Sequence, residues 1–198
     1  MRPLLRQVKA AFPDAKVELW AMDEHRVGLK PILKKVWAFD GQRPIAPVEH
    51  RYEWRYVAGY VHPASGRTLW HIGTSVSIPL FNVSLEAFAR QTGAGPDKQV
   101  VLVLDGAGWH TSPKVRVPDH VHLLFLPAFS PELQPAEHLW ELSDTALINR
   151  HFKTIDDLED AQAERCVALQ ARRDLIRSAT LFPWWPRRVK KRQGPRTS

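Results

Sequence analysis

The chain has 198 residues, 44% of them hydrophobic and 25% charged, with a net charge of +7. That length buries one sizeable core and is too short for two ordinary domains plus a linker, and no apolar run is long enough to cross a bilayer, so a membrane protein is excluded. One cysteine, Cys166, excludes an internal disulfide or a thiolate zinc cluster; with no apolar leader after the basic start Met1 to Lys9, a reducing cytoplasm is the expected setting.

In chain order, Val17 to Asp23 alternates apolar residues at Val17, Leu19 and Ala21, the period of a strand with one buried face, and Asp23 is expected where that strand leaves the core. After Gly- and Pro-punctuated sequence from Gly28 to Pro47, Arg55–Val61 and Thr68–Gly73 read as two more strands, joined by a hairpin turn over Pro63 to Gly66. Leu85 to Arg90 reads as a helix with Asn82 and Ser84 as possible caps and Gly93 as its stop. Val100 to Leu104 is apolar at every position, which marks a strand covered on both faces, and it delivers Asp105 to the C-terminal edge of a sheet, where ligand sites gather. Val121 to Leu126 is a further strand stopped by Pro127. A helix then opens with Gln134 at the cap, Pro135 first and Glu137 third, and a last long helix runs from Thr154 to about Ser178. This order predicts an α/β domain with a mixed sheet flanked by helices, and a ribonuclease H-like fold satisfies it. Residues 1–180 form the expected domain and 181–198 a basic tail containing Trp and Pro.

Asp23 and Asp105 are separated by 81 residues, yet neighbouring strands of such a sheet bring their ends together, and the helix after the last strand carries Glu137 over the same edge. Three carboxylates there suit hard divalent cations. Two such ions ~3.5–4 Å apart supply what phosphodiester cleavage needs: an activated attacking oxygen, charge neutralisation and help for the leaving oxygen.

The segment Leu126 to Trp140, with its core Ser130-Pro131-Glu132-Leu133-Gln134-Pro135-Ala136-Glu137, is similar to the signature of the DDE superfamily endonuclease domain in bacterial insertion-sequence transposases related to the mariner elements. Leu104 to His110 resembles that family's second-aspartate motif and Met22-Asp23-Glu24 its first. The resemblance covers roughly residues 17–150. It implies Mg²⁺ or Mn²⁺, two ions, held by Asp23, Asp105 and Glu137 as catalytic and metal-binding residues. It also implies a reaction in which water cleaves a DNA strand and a 3′-hydroxyl then attacks target DNA, with a homodimer acting on element ends and target. The implied setting is the bacterial cytoplasm, on the nucleoid when bound to DNA. Departures are Gly106 where many members have Asn, Gln134 for the usual Asn, and only 31 residues between Asp105 and Glu137. Relatives carry N-terminal helix-turn-helix modules, so end recognition is expected from a separate helix-turn-helix polypeptide. Two readings from different classes follow: a metal-dependent strand-transfer nuclease, and an inactive remnant that only binds DNA or protein. A structure-selective nuclease with no role in transposition is a third.

Other residues carry weaker signals. Glu24 should point to the face opposite Asp23. Trp109, His110 and His138 flank the acids and either contact DNA or support the metal ligands, whereas Trp140 reads as core or rim packing. Glu141 and Asp144 share a stripe with Glu137 that is most often solvated. The tail concentrates positive charge in Arg187, Arg188, Lys190, Lys191 and Arg192, next to Trp184 and Trp185; this pattern suits a DNA backbone or, equally, a solubilising tail.

Overall fold

The structure is a computed structural model that describes residues 2–37, 39–40, 51–128 and 130–186. Tail residues Arg187, Arg188, Lys190, Lys191 and Arg192 therefore lie outside the described residues.

Strands β1 (Lys16–Gly28), β2 (Trp54–His62) and β3 (Arg67–Gly73) form an antiparallel meander. On the other side of β1, β4 (Lys98–Leu104) and β5 (Val121–Phe125) pair in parallel, giving one mixed sheet in the order β3-β2-β1-β4-β5. This is the ribonuclease H-like arrangement expected. Its parallel half requires a crossover from β3 to β4, supplied by α2 (Ile78–Thr92).

Strand alternation sorts the core into two layers. Trp20, Met22, Val100, Leu102 and Leu104 pack against Phe81, Leu85 and Phe88 of α2. On the opposite face Leu19, Ala21, Val101 and Val103 meet α1 (Arg2–Ala11), α4 (His138–Ser143), α5 (Ile155–Gln170) and α6 (Arg173–Thr180) through Val8, Leu139, Leu169 and Ile176. Val100 to Leu104 is fully buried, as a run apolar at every position requires. Trp185 is also buried in the α4 face, so packing continues past residue 180, where the sequence places the start of the tail.

Several expectations are corrected. Strand β1 does not end at Asp23; it continues to Gly28, because its second half pairs with β2 after its pairing with β4 has stopped at Ala21. Helix α2 starts at Ile78, with the Ser77 side chain accepting from the Leu80 N–H and a proline in the first turn. Asn82 is not its cap: it accepts from the Arg116 N–H at 2.8 Å, and Ser84 bonds Tyr60 and His71. The helix does stop at Gly93, whose φ of 69° is left-handed. The expected last helix is two, broken at Ala171 and Arg172. Close to that break the β2–β3 turn presses on the chain: a Cβ on Gly66 would lie 1.9 Å from the Arg173 carbonyl oxygen.

Candidate active site

Ala21 and Val103 are the last pair of β1 with β4; Asp23 stands two residues further along β1 and Asp105 directly follows the end of β4, so both aspartates line one cavity. Glu137 reaches them by a different route. Gln134 caps a single 3-10 turn, Pro135–Glu137, by accepting from the Ala136 N–H, and α4 follows at His138. Glu137 thus closes a tight turn; it is not the third residue of an α-helix as the sequence predicts. The buried Gln134 also donates from Nε2 to the Met22 carbonyl at 2.9 Å, which ties this turn to β1 one residue before Asp23. All three carboxylates line one cavity of about 320 Å³, walled by Gly106, Leu126, Pro127 and Pro131.

Asp105 is held from behind. A short helix, α3 (Gly108–Thr111), buries His110, whose Nδ1 lies 2.7 Å from Asp105 Oδ1 and whose Nε2 lies 2.9 Å from Glu24 Oε1. Burial pulls the His110 pKa down, but its bonds to Asp105 and Glu24 outweigh that and raise it to about 9. The imidazolium form, donating from both nitrogens, fits this position between two carboxylates. In turn the bond to His110 holds Asp105 below the usual carboxylate range. The Ala107 N–H also lands on Oδ1, so among the described bonds Oδ2 is the oxygen left to bind.

Asp23 is the opposite case. Burial pushes its pKa up to about 6; the hydrogen bond from Trp140 opposes this, and the neighbouring carboxylates Glu24 and Glu137 add to it. Glu137 is likewise raised, by burial first and then by Asp105 and Glu132 against the opposing charge of His138. An all-oxygen donor set in which two members, Asp23 and Glu137, resist ionising is what a hard divalent cation relieves, so these residues fit such ions. The carboxylates share a cavity without forming a closed cage: among the described residues no three His, Cys, Asp or Glu side chains stand close enough to hold one ion.

The remaining expected residues divide. Glu24 faces the α2 side, as its place on the strand predicts, and its carboxylate is linked to Asp105 through His110. Trp109 donates to the same Glu24 oxygen at 3.2 Å. His110 is 1% exposed with both ring nitrogens on carboxylates, which places it behind Asp105. His138 is exposed and stands edge-on to Phe182 at 5.0 Å. Sequence reasoning missed Trp140, whose Nε1 donates to Asp23 Oδ2 at 3.0 Å while its ring stacks on His25 at 5.0 Å. Asp144, read as a solvated position, bonds His25 at 3.0 Å. The one signal that was available is Gly59, a glycine inside a strand, which marks a close approach without saying by what.

Known proteins resemble this chain in part of its sequence or in fold. The uncharacterized protein y4pE/y4sA of Sinorhizobium fredii is 38% identical over 109 residues, 53% of this chain and 77% of that one. The mariner Mos1 paired end complex with Mg is similar in structure, with a TM-score of 0.60 at 18% identity, over 91% of this chain and 58% of that chain. The Mos1 strand transfer complex gives 0.54 at 17%, over 91% and 59%. The chain therefore spans less than two thirds of the length of these solved chains, and at such identity the likeness is one of fold. The model of the DDE superfamily endonuclease family matches residues 18–159, a stretch that contains Asp23, Asp105 and Glu137, and the chain belongs to that family.

Proposed function

We propose that this chain is the catalytic domain of a transposase, which cuts DNA and joins the freed ends to target DNA using divalent ions held by Asp23, Asp105 and Glu137. The observation that carries this reading is the convergence of three carboxylates, from β1, the end of β4 and the turn before α4, on one cavity. Two Mg²⁺ or Mn²⁺ ions, when bound, would supply an activated attacking oxygen, charge neutralisation at the phosphorus and stabilisation of the leaving oxygen. Mos1 complexes that resemble this fold were solved with Mg and with Mn, in line with that choice.

The chain's own contribution is placement. His110 donates to Asp105, which orients that carboxylate and holds it below the usual carboxylate range, and His110 is itself fixed by Glu24. Burial first, and then the neighbouring carboxylates, raise Asp23 to about 6, so a cation held at this edge would favour its ionised form. Glu137 is carried on a turn pinned to the β1 backbone, which keeps the three groups in fixed relation. DNA is the partner, with element ends and target as substrates, a homodimer as the working unit and a separate helix-turn-helix polypeptide for end recognition. Arg187, Arg188, Lys190, Lys191 and Arg192 would add phosphate contacts. The working location is the cytoplasm, at the nucleoid. Among the described residues no helix is long and apolar enough to cross a membrane.

The inactive remnant, binding DNA or protein alone, is favoured by one observation: the carboxylates share a cavity without forming a three-ligand cage. Incubating the purified chain with supercoiled DNA and Mg²⁺ or Mn²⁺ separates the two. Nicking that is lost in Asp105→Asn supports the nuclease; DNA binding without nicking, also in the presence of an added end-recognition polypeptide, supports the remnant.

A further inference from the structure

We propose that Trp140 is a positioning residue for Asp23: its indole N–H fixes Oδ2 of that carboxylate so that the other oxygen is turned to the metal. The inference rests on the reading of Asp23 as a metal ligand.

The contact is built from four elements. Trp140 Nε1 donates to Asp23 Oδ2 at 3.0 Å from α4. The ring lies over β2 where Gly59 is the cross-strand partner of Asp23, and a Cβ there would stand 2.8 Å from Trp140 Cη2 and 3.1 Å from Leu139 Cδ1. Its face stacks on His25 of β1 with planes 17° apart, and His25 is itself held by Asp144 at 3.0 Å. Trp70 of β3 meets it edge-on at 6.2 Å. The indole is an uncharged donor, so it orients a carboxylate without competing with a cation for its charge, as Lys or Arg would. Partners of this kind, behind the ligands of a metal, typically change affinity or activity by about 10–100-fold.

The test is Mn²⁺ binding to the whole chain without DNA, followed by electron paramagnetic resonance of the free ion, with folding checked by circular dichroism. Trp140→Phe keeps an aromatic ring and loses the donor; Mn²⁺ affinity should fall about 10-fold. Trp70→Phe trims the same aromatic cluster but removes only a bond to Thr68, and should bind Mn²⁺ as wild type does. Unchanged affinity in folded Trp140→Phe overturns the proposal, and so does an equal loss in Trp70→Phe, which would mean general loosening. If Trp140→Phe does not fold, Gly59→Ala decides: its methyl would stand 2.8 Å from Trp140 Cη2 and displace the ring that carries the donor, and full Mn²⁺ affinity in the folded variant overturns the proposal. Wild type that binds no Mn²⁺, or Asp23→Asn that binds as wild type, defeats the reading of the site itself and the proposal with it.

Discussion

Asp105 and His110 are five residues apart and joined by a 2.7 Å hydrogen bond, and the same imidazole reaches Glu24 on the other face of the sheet. A strand end is an exposed place for a carboxylate to keep one orientation, and this bond supplies the missing restraint. Replacing His110 with Ala should cost about 2–4 kcal/mol, since two bonds to charged partners are lost and the partly buried Glu24 keeps only the Trp109 donor among its described side-chain partners. Urea unfolding measures that loss. Metal-dependent nicking should fall about 10–100-fold even where the variant is folded.

The same imidazole makes stability depend on pH without metal. Its pKa is about 9 in the folded chain against the usual 6.5, so the folded state holds the proton more tightly. The contribution is therefore complete below pH 6.5 and is lost as pH rises through 9. Unfolding free energy should decline across that window in wild type and decline less in His110→Gln. Equal slopes would mean that His110 is not the titrating group.

Glu18 should give the opposite slope in acid. It is 3% exposed, bonded to Lys16 at 2.6 Å, to Arg67, and to Trp20 Nε1 at 3.1 Å. Burial alone would raise its pKa, but these partners lower it to about 2. Its contribution is thus present above the ordinary value of 4.5 and disappears as pH falls toward 2. Glu18→Gln should be less stable than wild type at neutral pH and lose less on acidification, as read by thermal melting at pH 7 and pH 3.

Gly59→Ala should damage the site by crowding. The new methyl meets the Trp140 ring at 2.8 Å, and overpacking of this kind costs about 1–3 kcal/mol. Because the ring that must move also holds Asp23, nicking should fall further than stability does. Equal activity per folded molecule would contradict this coupling.

Thr154→Ala is a remote control. Thr154 and Asp157 form a capping box at the start of α5, and losing the cap should cost about 1 kcal/mol in urea unfolding. Metal-dependent nicking should be unchanged.

The parts of the fold that were legible are those with a local cause. Val100 to Leu104 declares itself by its unbroken apolar run, and Asp105 follows it directly. Gly93 stops α2 because a left-handed position favours glycine. What escaped has two sources. Ser77 and Pro79 form a cap and first-turn pair, a local signal for the start of α2 that the sequence itself displays. The extension of β1 through Asp23, Glu24, His25 and Arg26 has no apolar alternation, because antiparallel pairing with β2 holds that stretch. Likewise Trp140 and Asp23 are 117 positions apart, and their bond follows from the packing of α4 on the sheet; no local pattern announces it.

The most direct measurement of the central claim is a crystal structure of the chain grown with Mn²⁺, read by anomalous scattering. Two peaks are predicted in the cavity between Asp23, Asp105 and Glu137, ~3.5–4 Å apart, with carboxylate oxygens as ligands. A well-ordered cavity without any peak at saturating Mn²⁺, or ions bound only elsewhere on the chain, would contradict the assignment of these three carboxylates.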